Sequence, residues 1–223
     1  MKNIKFFNEI FPENISELQQ PNNGPFVGHA AEGPEPYIRY TVNKITGILS
    51  DSTIEANITE NDLLYSGNKG KLADVTFTRN FQGGMYNTIC LPFTLYTLEG
   101  TPFEGCTIAE VIDTTNVNDP KTLNFTEVNV SKETPMRAGY PYFIMPPKNL
   151  MAPHIFTDVI IEITSQQECT DVTAGNWVIK PHLFTGTIEP TTGDLYILVA
   201  NNMIAQTSPG ETLFGTRVYF EKF

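Results

Sequence analysis

At 223 residues, with apolar residues at 40% and aromatics at 11%, the chain is long enough to bury a core of its own. Gly and Pro at 16 each, with frequent Thr and Asn, favour many short strands joined by turns over long helices. Twenty-five acidic against 14 basic residues give a net charge of −11, and the basic residues are scattered, which argues against a nucleic-acid groove.

Residues 1–36 read as an N-terminal arm and linker. Ile4, Phe7 and Phe11, with Phe6 and Ile10 alongside, recur at helical spacing and form a short apolar stripe. Asn14 or Ser16 can cap a further turn before Pro21, after which Asn22-Asn23-Gly24-Pro25, Gly28, Gly33-Pro34 and Pro36 forbid regular structure. A helix this short is marginal unless it docks, either on its own domain or in a partner's groove. Ile4, Phe6, Phe7, Ile10 and Phe11 are therefore the expected partner-binding residues. Met1-Lys2-Asn3 begins like a secretory leader, but Asn8, Glu9 and Pro12 interrupt any apolar run, so no signal peptide is expected if Met1 is the native start. No stretch is apolar enough to insert in a membrane.

Alternation begins at Tyr37. Tyr37 to Val42 reads as a strand, Asn43 to Gly47 as its turn and Ile48 to Ile54 as its return, giving a hairpin segment over 37–71 that ends in a polar break. The main domain spans 72–223. Strands are expected at Asp74 to Thr78, Met85 to Leu91, Thr107 to Ile112, Thr122 to Val130, Tyr142 to Met145 and Ile155 to Ile163. Others follow at Asn176 to Ile179, Leu195 to Ala200, Met203 to Gln206 and Thr216 to Glu221. Turn signals such as Gly83-Gly84, Gly175 and Pro209-Gly210 separate them. Short strands without intervening helices imply an all-β fold, an antiparallel sandwich of Greek-key or meander type.

The chemistry-bearing residues do not assemble a catalytic motif. His29, His154 and His182 stand far apart, and Ser131, Ser165 and Ser208 lie in polar, turn-like contexts without a nucleophile elbow. Glu110, Asp113, Glu127 and Glu162 offer carboxylates for a glycosidase pair, a reading set against solvated strand-end charge. Cys90, Cys106 and Cys169 have no zinc spacing and an odd count, so they read as small buried hydrophobes. Asp113 to Asp119 is an oxygen-rich loop that lacks the glycine and closing Glu of a calcium site. No cofactor motif is present. Trp177 reads as a core anchor, with a sugar-stacking platform as the alternative, and Tyr37, Tyr65 and Tyr96 are expected at contact surfaces.

Four segments carry a resemblance: Tyr86-Asn87-Thr88-Ile89-Cys90-Leu91-Pro92-Phe93, Met136 to Pro146 around Ala138-Gly139-Tyr140-Pro141-Tyr142, Gly193 to Leu198, and Gly215 to Phe220. In this order, over about 72–223, they resemble the β-sandwich domain of uncharacterised Bacteroidetes surface proteins. The resemblance implies a fold and an adhesive role without catalytic residues. Together with the arm, it leads to the expectation of a non-enzymatic structural or adhesive module, carried on a virion as a capsid decoration or head fibre. Such a protein would be a homo-oligomer. It would grip a capsid partner through its arm and face a host glycan or surface protein. The alternatives are a bacterial cell-surface or periplasmic adhesin and, third, a carbohydrate-active enzyme.

Overall fold

The computed structural model describes residues 44–50, 62–113, 123–191, 193–199 and 203–222. Contacts divide the chain into units 1–41 and 42–223, and the second holds every described residue. The stripe Ile4, Phe6, Phe7, Ile10 and Phe11, with His29 and Tyr37, lies outside the described residues, as does most of the Asp113 to Asp119 loop.

The fold is all-β and sandwich-like. Its fourteen described strands are β1 (Ile45–Leu49), β2 (Leu72–Phe77), β3 (Asn87–Ile89), β4 (Thr107–Asp113), β5 (Asn124–Val128), β6 (Tyr142–Met145) and β7 (His154–Ile160), then β8 (Val172–Ala174), β9 (Trp177–His182), β10 (Gly186–Thr187), β11 (Asp194–Val199), β12 (Met203–Thr207), β13 (Thr212–Leu213) and β14 (Arg217–Lys222). They form a three-stranded sheet β1-β2-β7, a four-stranded sheet β3-β6-β4-β5, a five-stranded sheet β12-β11-β14-β9-β8 and a small pair β10-β13.

The four-stranded sheet is apolar on both faces. Cross-strand neighbours share a face and successive residues alternate. Ile89, Ile108, Tyr142 and Ile144 accordingly join one buried cluster with Ala73, Val75, Phe77 and Phe156 of the three-stranded sheet. Ala109, Val111 and Phe143 join a second with Trp177, Ile179, Val218 and Phe220 of the five-stranded sheet. The unbroken run Tyr142-Phe143-Ile144 follows from this, since a strand covered on both sides has no solvent face to mark with polar residues.

The first cluster is the larger and is closed at one end by the Thr94 to Gly105 turns, which bury Leu95 and Phe103. Phe103 meets Phe81 and Phe156 edge-on at 5.5 and 5.0 Å. The second centres on Trp177, which stands edge-on to Tyr196 at 4.9 Å. At 2% exposure Trp177 is the core anchor expected of it and offers no stacking platform.

The expected strands from β2 onward recur with shifted ends, and the differences have physical causes. Ile45 to Gly47, expected as a turn, lies in strand β1, which pairs parallel to β2, whereas the other pairings among the described strands are antiparallel. Gly47 serves that strand by closeness: a Cβ there would lie 2.5 Å from Leu63 Cδ1. Leu63 and Leu64, from the polar stretch 60–71, are buried in the larger cluster. The rest of the expected 37–71 hairpin lies outside the described residues. Strands β8, β10 and β13 span only two or three residues each, too short for a period to register.

Candidate functional site: a mixed-charge cleft at the edge of the central sheet

Three of the four segments singled out in the sequence meet around one seam. Gly139 has φ of 64°, a left-handed conformation that a side chain strains. Its N–H donates to Leu91 O at 2.8 Å and its carbonyl accepts from Thr170 N–H at 2.9 Å, so three separate segments run side by side. Cys90 N–H in turn donates to Thr216 O. Arg79, 3% exposed, donates from Nη1 to Thr88 O at 2.6 Å and to Thr216 O at 3.3 Å, tying the end of β2 to the starts of both neighbouring layers. These residues build the scaffold that holds the turn after Gly139.

Beside that turn lies a cleft of about 450 Å³ bordered by Glu110, Glu127, Asn129, Glu133, Thr134, Arg137 and Tyr142. Tyr142, on β6, is buried, and its hydroxyl accepts from Arg137 N–H at 3.1 Å and donates to Pro135 O at 3.2 Å. This fixes the Pro135 to Arg137 wall from below. The Arg137 guanidinium lies 3.8 Å from the centre of the Tyr140 ring and 4.0 Å from the Glu110 carboxylate. Its charged form is favoured first by hydrogen bonding with Tyr142, and burial and then Glu110 push the Tyr140 phenol up. Ser131 organises the opposite lip by bonding Glu133 and Thr134 at 3.0 Å.

The ladder settles how two expected carboxylates are disposed. Glu110 pairs with Thr126 and Glu127 with Ala109, so strand alternation turns Glu110 and Glu127 to opposite faces of the sheet. Glu162 is elsewhere, accepting from Thr94 N–H at 3.0 Å. The side chain of Asp113 is outside the described residues. His154 and His182 are buried in different places and donate from Nε2 to Arg79 O and Leu213 O. Burial holds both below the usual imidazole value. Ser165 and Ser131 take part in turn contacts. Among the described residues, no group of three His, Cys, Asp or Glu is placed to hold a metal ion, and no helix is long and apolar enough to cross a membrane.

One further feature escaped sequence reading. Glu221 is wholly buried, accepting from Lys180 Nζ at 2.9 Å, Thr191 Oγ1 at 2.7 Å and Gly193 N–H at 3.1 Å. It straps the turn before β11 onto the outer face of the five-stranded sheet, beside Tyr219, whose phenol burial pushes up to about 12. Tyr65 and Tyr96, expected at the surface, are exposed at 64% and 55%.

No protein family, curated protein or solved structure is matched by this chain.

Proposed function

We propose that the chain is a non-enzymatic adhesive module whose cleft beside Arg137 receives an oligosaccharide of a host surface. The observation that carries this reading is the cleft itself. It sets carboxylates, an amide, a hydroxyl and a guanidinium around one space, on a wall fixed by the buried Tyr142 hydroxyl. Sugar hydroxyls are donors and acceptors at once, and a site with both polarities pre-positioned meets them without ordering costs.

The module belongs at the surface of an assembly, a virion decoration or head fibre, held there by Ile4, Phe6, Phe7, Ile10 and Phe11. The apolar stripe and Gly/Pro tether in the sequence support that anchoring role. Titration against an immobilised panel of host-surface glycans tests the cleft. Arg137→Ala and Asn129→Ala are each expected to weaken a bound glycan at least ~10-fold, about 1.4 kcal/mol. Binding unaffected by both would refute the assignment, as would glycan cleavage that Glu110→Gln abolishes. Deleting residues 1–20 should release the protein from its assembly while glycan binding persists.

A further inference from the structure

The outer face of the five-stranded sheet carries a side-chain cluster that adhesion leaves unused. Lys180 on β9 stands opposite Tyr219 on β14, and Glu221 stands opposite Val178, so strand alternation sets Lys180 and Glu221 diagonally on one face. Leu195, the β11 partner of Glu221 on that face, is itself 1% exposed. Glu221 is thus walled off from water, and Lys180 Nζ lies 2.9 Å from its Oε2. Thr191 bridges the same two groups: its hydroxyl accepts from Lys180 Nζ at 2.6 Å and donates to Glu221 Oε2 at 2.7 Å. Gly193 N–H donates to the other oxygen, Oε1, at 3.1 Å. A nitrogen nucleophile, a proton relay and an oxyanion donor are gathered around one carboxyl group. Desolvation offsets much of the attraction within a buried ion pair, so a neutral alternative gains at this place.

We propose that Lys180 and Glu221 condense into an amide within the folded chain, a covalent rung between β9 and β14. One ammonium proton first passes through the Thr191 hydroxyl to Glu221 Oε2, leaving a neutral amine beside a neutral acid. The Nζ lone pair then attacks Cδ: the Nζ–Cδ bond forms and the carbonyl pair moves onto Oε1, where Gly193 N–H stabilises it. A second proton follows the same relay from Nζ to Oε2. The pair on Oε1 returns, the Cδ–Oε2 bond breaks, and water leaves past Thr191, which is exposed. Two protons and one carboxyl oxygen depart as that water, nothing is oxidised or reduced, and no other reactant enters. Proximity supplies the rate, since groups held in contact react without the entropy cost of meeting. Asp171 is the competing carboxylate, but it lies 3.9 Å from Lys180 Nζ and is exposed, so an amide there would stand open to hydrolysis. The rung keeps β14 from sliding past β9 under load, whatever the cleft beside Arg137 binds.

The test is the intact mass of the full chain, held at neutral pH until that mass is constant, followed by peptide mapping under denaturing conditions. The expected mass is one water below that of the sequence, with the peptide holding Lys180 joined to the peptide holding Glu221. Lys180→Arg keeps a cation against Glu221 but cannot form the amide, and should show the full mass of its own sequence. Thr191→Val lacks the relay and should link at least ~10-fold more slowly after synthesis. A parent chain that keeps its full sequence mass would overturn the proposal. So would a link from Lys180 to Asp171, or a water loss that persists in Lys180→Arg. Peptide mapping of the parent protein decides the matter even if a variant fails to fold.

Discussion

The two cores on either side of the central sheet are built on different plans. The larger one spreads its packing over many medium-sized rings, with Phe77, Phe81, Phe93, Phe103 and Phe156 all within 2% of full burial, and threads Arg79 and His154 among them. The smaller one concentrates on Trp177 and Phe220, ring to ring across neighbouring strands. A core of many interchangeable rings can be sealed by loops, as the Thr94 to Gly105 turns do here. A core with one large anchor depends on strand register to bring its partners to that anchor.

The sharpest way to break this contrast is Trp177→Ala. It removes the largest side chain of the smaller core, where Tyr196 and Phe220 both stand edge-on to it, and should cost about 4 kcal/mol in urea denaturation. A loss under roughly 1 kcal/mol would show that the smaller core repacks as freely as the larger. Arg79→Met probes the larger core's polar insertion. It leaves Thr88 O and Thr216 O without their charged donor, and should cost about 3 kcal/mol by the same measurement. A variant as stable as the parent would mean that the bonded guanidinium only offsets its own desolvation.

The smallest effect is that of pH. His154 in the larger core and His182 on the outer sheet are held by burial below the ordinary value of 6.5. The unfolded chain therefore takes up protons that the folded one refuses, and stability falls as pH drops below about 6.5. Asp74 and Glu168, lowered by their hydrogen bonds to Lys44 and Lys69, act in a separate window below about 4.5. Urea midpoints should fall between pH 7.5 and 5.5, and His154→Gln with His182→Gln should flatten that slope. An unchanged slope would show that neither imidazole carries the pH dependence in this range.

The legible parts of the molecule were those with a strong period or a strong punctuator. Strands β6, β11 and β14 announced themselves through aromatic and β-branched runs that follow Gly139, Gly193 and Gly215. Strand β1 did not, because Gly47 looks like a turn residue until Leu63 is seen pressing on it, and that contact crosses a sequence gap no local pattern spans. At the cleft, Glu110 and Glu127 could be named as carboxylates. Their opposition across the sheet required the register, and Arg137 joined them only through the fold-back of Pro135 to Tyr142.

A sheet walled on both sides cannot be lost by halves. If the β1-β2-β7 layer peels away, Tyr142 and Ile144 meet water and the strands holding Phe143 against Phe220 lose their backing. Neither core is then expected to persist as a partial remnant, and the described residues of 42–223 should melt in one transition, with circular dichroism and Trp177 fluorescence coinciding and no half-folded state offering free strand edges to its neighbours.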